Sequence, residues 1–326
     1  MPKLVTIFGG SGFVGRYIAW RMAKAGWRVR VAVRRPNEAM FVRPYGDVGQ
    51  VEPVFCNIRN DDSVRAVLEG ADVAVNCVGT FDLRGKNSFD AIQAEGAERV
   101  ARLASDAGVG RMVQISAIGA DCESDSIYAQ TKARGEAAVL EHMPEAVILR
   151  PSVVFGPEDA FFNRFAAMSR LGPILPVVGD ETRFQPVYVD NVAEAAEKAI
   201  TGEAKPGIYE LGGPDVNTFR ELMEHMLHVI GRRRLIVNIP FWAATAMASG
   251  MEALQILTLG LFKPQITRDQ VRSLRRDNIV AQDAKGLTDL GIKPVAIEAV
   301  LPDYLWRFRP GGQYDSIRDS ARNLRL

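Results

Sequence analysis

Short apolar runs alternate with longer amphipathic segments through the first two-thirds of this 326-residue chain. The apolar runs read LVTIF, VRVAV, VEPVF, VAVNCV, MVQIS and AVILR, and between them helical periodicity extends to Ala25 and resumes from Asp61, Ser88 and Tyr128. Strands that are apolar along their whole length are typical of a parallel sheet covered by helices on both faces. The pattern therefore predicts an α/β fold built on a doubly wound parallel sheet.

The alternation loosens after Arg150. A loop, RPSVVFGPED, is followed by QPVYVDNVAEAAEKAI, which predicts a strand and a helix that return to the sheet, and by IYELGG, which predicts a further strand. From Pro214 onward, glycine and proline separate longer helical segments. We expect a domain over 1–213, with its core in 1–150 and a return segment at about 184–213, and a smaller, mostly helical C-terminal lobe over 214–326 for docking or substrate binding.

A glycine-rich loop directly follows the first strand. The sequence GGSGFVG, from Gly9 to Gly15, fits both GxxGxxG and GxGxxG and leads into a helix. Glycines at these positions permit a tight turn and let backbone amides approach a pyrophosphate at the helix N-terminus. The motif predicts a Rossmann-type dinucleotide site.

The end of the second strand indicates which dinucleotide is bound. RVRVAV ends in Arg34 and Arg35, where an acidic residue would bind the ribose 2′-hydroxyl of NAD. Guanidinium groups match a 2′-phosphate instead, so the sequence predicts NADP(H). A pair of solvated surface arginines is the alternative.

Tyr128 and Lys132 lie four residues apart in SIYAQTKARGE. This spacing places a phenol and an ammonium one turn apart on the same face of a helix. A lysine in that position can lower the pKa of the phenol and prepare it for proton transfer beside a hydride.

With the glycine loop, VNCVG, YxxxK and LRPSVVFG in this order, the chain resembles the extended and atypical short-chain dehydrogenases/reductases. The resemblance covers roughly residues 4–213. It implies the following nucleotide contacts: Gly9, Ser11, Gly12, Phe13, Val14 and Gly15 at the pyrophosphate, Asn57 and Ile58 at the adenine, Val78 and Gly79 at the adenosine ribose, Tyr128 and Lys132 at the nicotinamide ribose, and Pro151, Ser152 and Val153 at the nicotinamide.

Active members of that family add a serine or threonine that polarises the substrate carbonyl. In QISAIGAD the corresponding position falls on Ile118, whereas Ser116 lies nearer the strand and stays a candidate for the site. Loss of one oxyanion donor typically costs about 100-fold to 1000-fold in rate. We therefore assign no catalytic residue, and Tyr128 and Lys132 fill that role only if the chain is active.

A narrower resemblance spans nearly the whole chain. The segments VQISAIGAD, YAQTKARGE, RPSVVFGPED, FQPVYVDNVA and WRFRPGGQYD are similar to the short-chain-dehydrogenase-like accessory subunits of respiratory complex I, NADH:ubiquinone oxidoreductase. This implies a tightly held NADPH of structural role, contact with other complex I subunits near the quinone end of the hydrophilic arm, and membrane contact through the C-terminal lobe. A free NADPH-dependent reductase or epimerase is the alternative, and a sensor of the NADPH to NADP ratio would use the same pocket.

The charge distribution bears on the membrane contact. Residues 1–231 carry 25 Lys and Arg against 30 Asp and Glu, whereas residues 232–326 carry 15 against 9. Within the basic part, 241–262 contains a single charge, Glu252, and basic residues precede and follow it. These residues suit peripheral membrane contact through 241–276 and a helix buried in the lobe's own core equally well. The resemblance to the accessory subunits implies membrane contact.

Other classes of site are not indicated. His225 and His228 lie one turn apart without a third ligand, so we predict no metal site. Basic residues are not interleaved with aromatic ones, so we predict no nucleic-acid binding. The chain enters its first strand within three residues of Met1, which leads us to expect the cytoplasmic face of a bacterial inner membrane, or the mitochondrial matrix face for a processed chain.

Overall fold

The computed structural model describes residues 2–80, 85, 88–258, 264, 266–312 and 314. Its strands are β1 (Leu4–Phe8), β2 (Arg28–Val33), β3 (Val51–Phe55), β4 (Val73–Asn76), β5 (Arg111–Ile115), β6 (Val147–Pro151), β7 (Val154–Phe155), β8 (Ile174–Val178), β9 (Arg183–Phe184), β10 (Val187–Tyr188), β11 (Gly207–Leu211), β12 (Asn217–Thr218) and β13 (Leu235–Ile239).

The helices alternate with these strands. They are α1 (Phe13–Lys24), α2 (Asp61–Leu68), α3 (Glu95–Asp106), α4 (Ile127–His142), α5 (Phe162–Met168), α6 (Val189–Thr201), α7 (Phe219–Val229), α8 (Phe241–Leu257), α9 (Arg268–Ser273) and α10 (Ile297–Leu305). Short 3₁₀ segments occupy Pro36–Tyr45, Thr288–Leu290 and Trp306–Phe308, and a π-helical turn, Asp90–Ala94, leads into α3.

Seven strands form one parallel sheet in the order β11-β6-β5-β4-β1-β2-β3. The chain starts in β1, winds outward through β2 and β3, and then returns to β4 on the other side of β1. Ligands of open α/β sheets bind at the carboxyl ends of the strands where the winding direction reverses. The predicted fold class is confirmed, and the reversal lies between β1 and β4.

The chain divides into two compact units. The first comprises Met1–Ser152, Val189–Gly212 and Val280–Pro294, and the second comprises Val153–Tyr188, Gly213–Ile279 and Val295–Leu326. The chain therefore passes between the units repeatedly, whereas the sequence predicts one boundary at 213. The first unit needs the later segments because α6 and β11 complete its layers.

One predicted sheet strand is wrong. The sequence places the VYV run in the main sheet, but β10 pairs with β7 as a separate two-stranded element of the second unit. Only α6 and β11 of the predicted return segment belong to the first unit. A strand of two residues has no periodicity of its own, so its partner is set by tertiary contacts rather than by local sequence.

In the first unit, ion pairs join α6 to α1. The Arg21 guanidinium donates from Nε to Asp190 at 2.7 Å and from Nη1 to Glu197 at 2.8 Å. These contacts raise the pKa of Arg21, with the hydrogen bond to Asp190 as the largest cause. They fix the helix that carries the phosphate loop against the return helix.

The second unit has its own core. Phe155, Phe162, Leu175, Met226 and Leu301 are fully buried within one apolar cluster. A parallel pair of strands, β8 and β13, borders this unit. Its helix α7 begins with a capping box, in which Thr218 and Glu221 satisfy each other's backbone amides.

Candidate functional site

The predicted phosphate loop connects β1 to α1. The backbone turns at Gly9, whose φ is +74°, and the Gly12 amide donates to the Gly9 carbonyl at 2.9 Å. Helix α1 begins at Phe13 without a side-chain cap and with no acidic residue in its first turn. The first amides of a helix lack intrahelical acceptors, so those of Phe13, Val14 and Gly15 form a positive end suited to an anion.

The glycines of this loop are required by close packing. A Cβ atom at Gly15 would lie 2.4 Å from the Gly9 carbonyl oxygen, and one at Gly10 would lie 3.1 Å from the Ile7 carbonyl oxygen. Helix α1 therefore approaches the end of β1 more closely than any side chain would permit. This approach is what a dinucleotide pyrophosphate needs from the loop, so the residues present fit such a group.

A cavity of about 550 Å³ opens at the carboxyl ends of β1, β2, β3 and β4. Its volume falls in the range of small-molecule and cofactor sites. The predicted residues that line it are Gly9, Ser11, Gly12, Arg34, Arg35, Asn57, Ile58, Val78 and Gly79. The structure therefore brings together the residues to which the sequence assigns the adenosine, the 2′-phosphate and part of the pyrophosphate.

Arg34 and Arg35 are both exposed at the mouth of this cavity. The Nη1 of Arg35 donates to the Glu38 carboxylate at 2.9 Å, and both side chains of that pair are largely solvated. The sequence did not single out Glu38, although it lies three residues after Arg35 at helical spacing. A carboxylate beside a guanidinium competes with a phosphate for its donors.

Sequence reasoning also missed other residues of the lining. They include Cys56, Arg59, Cys77 and Thr80. Each follows the carboxyl end of β3 or β4, so the rule that ligands bind at those ends could have found them. Burial raises the pKa of Cys56 to about 11 and that of Cys77 to about 12, so both thiols stay protonated at neutral pH.

Tyr128 and Lys132 lie on α4 in the first unit. The ammonium of Lys132 lies 5.9 Å from the centre of the Tyr128 ring and donates to the Ile115 carbonyl at 3.3 Å. Burial raises the pKa of Tyr128 to about 12 and lowers that of Lys132 to about 8. At neutral pH the phenol is protonated, so it can donate a hydrogen bond or a proton but is not prepared as a base.

Ser116 lies directly after β5 and is buried. Its hydroxyl donates to Oε1 of Glu136, which is also buried. Glu136 in turn accepts from Arg150 at 2.6 Å, and Arg150 reaches Glu210 at 3.5 Å. The Ser116 hydroxyl is therefore part of a charged network within the first unit. The amide of Ile118, which the sequence predicts at the position of the catalytic hydroxyl, donates to the Pro151 carbonyl at 3.1 Å.

The predicted nicotinamide residues fall on both sides of the division between units. Pro151 ends β6, and the Ser152 amide donates to the Leu211 carbonyl at 2.9 Å, so both belong to the main sheet. Val153 begins the second unit, where its amide donates to the Asn278 side chain at 3.1 Å. No motif in the sequence indicates Asn278, which is 125 residues away along the chain.

The predicted membrane segment contains α8. Its buried face consists of Ala244, Ala248 and Glu252, and Glu252 accepts from the Arg268 side chain at 2.8 Å. Large apolar side chains lie among its exposed residues, with Trp242 76% and Leu257 80% exposed. The helix thus buries two alanines and its one charge and exposes most of its large apolar side chains. Residues 259–263 and 265 of the predicted segment lie outside the described residues.

Two further features of the described residues bear on the remaining predictions. No described helix combines the length and apolarity that crossing a bilayer requires. Among the same residues, no group of three or more His, Cys, Asp or Glu side chains is arranged to hold a metal ion. The Nε2 of His225 lies 3.8 Å from the Glu298 carboxylate, within the second unit.

Comparison with known proteins supplies further constraints. The chain is 35% identical over 316 residues to the Arabidopsis thaliana "NADH dehydrogenase [ubiquinone] 1 alpha subcomplex subunit 9, mitochondrial", a match that covers 95% of this chain and 79% of that protein. It is 31% identical over 241 residues to a ceramide reductase of Caulobacter vibrioides, which covers 73% of this chain and 74% of that protein.

A similar fold occurs in a Thermus thermophilus UDP-glucose 4-epimerase solved in complex with NAD. The TM-score is 0.67 at 20% sequence identity, and the match covers 94% of this chain and 99% of that one. The sequence profile of the NAD dependent epimerase/dehydratase family matches residues 5–212, which include the phosphate loop, the cavity and the Tyr128–Lys132 pair. The chain therefore belongs to the NAD dependent epimerase/dehydratase family.

Proposed function

We propose that this protein is an accessory subunit of NADH:ubiquinone oxidoreductase that holds NADP(H) as a structural ligand and does not turn over a substrate of its own. The observation that carries the proposal is the 35% identity to the alpha subcomplex subunit 9 of Arabidopsis thaliana along 95% of this chain. A likeness that continues through the second unit extends beyond the nucleotide-binding segment common to the whole family.

The site supports a role for the nucleotide as a ligand of the folded state. The glycine cradle would hold the pyrophosphate, and Arg34 and Arg35 at the cavity mouth would receive a 2′-phosphate. A ligand that binds only the folded protein stabilises it by about 4 kcal/mol at 1,000 times its Kd. When bound, NADPH can donate a hydride, but its contribution here is to the stability of the first unit.

The surroundings of Tyr128 support a site without turnover. The only hydroxyl of the QISAIGAD segment, on Ser116, donates to Glu136, and Ile118 offers no side-chain donor in its place. An oxyanion at this site would lack a donor worth about 100-fold to 1000-fold in rate. Tyr128 and Lys132 can instead donate hydrogen bonds to the nicotinamide ribose.

The second unit supports a peripheral docking role. The exposed apolar side chains of α8, together with the basic residues of 232–276, suit contact with membrane or membrane subunits near the quinone end of the hydrophilic arm. The location proposed is the cytoplasmic face of a bacterial inner membrane, or the matrix face for a mitochondrial chain.

The test is to isolate the tagged protein from detergent-solubilised membranes of the producing cell. We expect other complex I subunits to copurify and NADP(H), rather than NAD(H), to be released on denaturation and identified by mass. Isolation of the chain without those subunits would overturn the accessory role. Recovery of NAD(H) would overturn only the assignment of the nucleotide.

A free NADPH-dependent reductase or epimerase is the second candidate, favoured by the intact Tyr128–Lys132 pair and by the 31% identity to a ceramide reductase. Replacement of Tyr128 with Phe separates the two. The accessory role predicts that Tyr128→Phe leaves the assembly of complex I and its respiration within about twofold of wild type. Loss of an NADPH-consuming reaction from the cell, with complex I unaffected, would favour the enzyme.

A further inference from the structure

A basic pocket lies in the second unit, apart from the nucleotide cavity. It has a volume of about 380 Å³ and is formed where α7 ends and β13 begins. Arg220, Arg232, Arg233 and Arg234 supply guanidinium groups to its lining, and Glu224 supplies a carboxylate. None of these residues belongs to the nucleotide cavity or to the predicted membrane segment 241–276.

The local fold directs these arginines to one place. Gly231, at a φ of +63°, ends α7, and the chain then pairs β13 with β8 from Leu235 onward. Nε of Arg232 donates to the Phe308 carbonyl at 2.9 Å, and Nε of Arg234 donates to the Ser169 carbonyl at 2.7 Å. Arg234 also donates from Nη1 to the Arg233 carbonyl at 2.8 Å. Among the described residues, Nη2 of Arg234 and both Nη nitrogens of Arg232 donate no hydrogen bond.

Within the part of the chain that the structure describes, the positive charge of the pocket is not balanced by carboxylates. Arg220 is neutralised by Asp180, with Nη2 2.6 Å from the carboxylate. Within the described part of the chain, no carboxylate lies within 4.0 Å of the guanidinium of Arg232, Arg233 or Arg234. Burial, followed by the charges of Arg234 and Arg170, lowers the pKa of Arg232. Three guanidinium groups thus face one carboxylate, Glu224, and an anion would relieve their repulsion.

The surface beside the pocket is apolar. Leu235 of β13 is 65% exposed, and its partner in the strand pair, Ile174, is 52% exposed. Leu171 is 88% exposed in the turn before β8, and Val237 lies two residues beyond Leu235 on β13. An inorganic phosphate would use the cations alone, whereas a lipid headgroup at a bilayer surface would meet both features.

We propose that this pocket binds the phosphate of an anionic phospholipid headgroup, with Arg232, Arg233 and Arg234 as donors and with Leu171, Ile174 and Leu235 against the bilayer surface. The inference deepens the peripheral membrane contact proposed above and adds a specific recognition site to it. The guanidinium groups alone would suit any phosphate, whereas their position beside the exposed Leu171, Ile174 and Leu235 suits a phosphate carried at a bilayer surface.

The test measures how much of the full-length purified protein, with NADPH added, sediments with vesicles. Two kinds of vesicle are compared: phosphatidylcholine alone, and phosphatidylcholine that contains phosphatidylglycerol. Arg233 is exposed and donates no hydrogen bond from its side chain to the described residues, so Arg233→Glu should fold normally. One cation near an anionic membrane contributes about 1 kcal/mol, so the reversal should weaken binding to the anionic vesicles by about 10-fold to 30-fold. The control Arg28→Glu makes the same charge change on exposed residue Arg28 of the first unit and should bind as wild type.

A second variant tests the apolar part of the site. Leu235→Ser should weaken binding to anionic vesicles while leaving the rise in melting temperature caused by soluble glycerol phosphate unchanged. Protection by inorganic phosphate without any preference for anionic vesicles would overturn the phospholipid assignment, and so would equal losses in Arg233→Glu and Arg28→Glu. NADPH retention and copurification with complex I subunits are read out separately, so a failure here is distinguishable from a failure of the proposed accessory role.

Discussion

The two sides of the central sheet differ in what occupies the carboxyl ends of their strands. On the side of β1 to β4, glycine backbone and arginine side chains surround an open cavity. On the side of β5, β6 and β11, the buried network of Ser116, Glu136, Arg150 and Glu210 ties the strands to α4. On the first side the strand ends leave an open cavity, whereas on the second side the protein's own charged side chains pair with one another.

The largest expected effect comes from breaking the network. Glu136→Ala removes the carboxylate and leaves the Arg150 guanidinium, 20% exposed, with only the more distant Glu210. Removal of one partner of a buried ion pair costs about 3 to 5 kcal/mol, and the partial exposure of Arg150 places this case near 3 kcal/mol. Urea unfolding would measure it.

Glu98→Ala provides the matched control for that measurement. Glu98 is an exposed residue of α3, so its removal should change the free energy of unfolding by no more than about 0.5 kcal/mol. If the two variants were equally stable, the network would not be what holds this side of the sheet.

The next effect concerns the open side. Gly15→Ala places a Cβ atom 2.4 Å from the Gly9 carbonyl oxygen, which forces α1 away from the loop. Overpacking of this kind costs about 1 to 3 kcal/mol and displaces amides that would bind the pyrophosphate. We expect NADPH affinity, measured by calorimetry, to fall by about 100-fold, as the loss of one or two charge-assisted hydrogen bonds would give.

Gly110→Ala is the comparison for Gly15→Ala. The added Cβ there would meet its nearest neighbour, the Asp72 carbonyl oxygen, at an ordinary 3.6 Å. NADPH affinity should therefore be unchanged in Gly110→Ala. Full affinity in Gly15→Ala would contradict a pyrophosphate bound on this loop.

A smaller effect tests whether the bound nucleotide is NADP(H) or NAD(H). With Arg34 and Arg35 both replaced by Gln, NADPH affinity should fall by about tenfold, since hydrogen bonds to charged groups contribute about 1.5 to 3 kcal/mol and these side chains are solvated. NADH affinity should change by less than about twofold. An equal loss for both nucleotides would show that these arginines do not read the 2′-phosphate.

The sequence predicts features that depend on local patterns and misses features that depend on contacts between distant residues. The strands of the main sheet and the GGSGFVG loop can be predicted from local sequence, through apolar runs and glycine spacing. The pairing of β10 with β7 and the bond from Val153 to Asn278 join residues with no periodic relation. Glu136 and Arg150 are 14 residues apart and belong to residue types that are usually exposed, and only the folded structure brings their side chains together.

The smallest effect is a pH dependence that originates beside Tyr128. Burial lowers the pKa of Lys132 to about 8 from an ordinary value of 10.5. Between these values the unfolded chain binds a proton that the folded protein lacks, so this group taken alone makes stability rise with pH from about 8 to about 10. Buried groups with raised pKa values oppose the rise, because they ionise first in the unfolded chain: Cys56 and Cys77 above about pH 9, and Tyr128 above about pH 10.

The contribution of Lys132 is therefore measured as a difference from Lys132→Met, in which the opposing groups are unchanged. Between pH 7.5 and 9.5, the change in the free energy of unfolding should be about 1 kcal/mol more favourable in the wild type than in Lys132→Met, measured by urea unfolding without added nucleotide. Lys24→Met, where an exposed lysine is replaced, should behave as the wild type. An equal change in Lys132→Met and the wild type would mean that burial does not lower the pKa of Lys132.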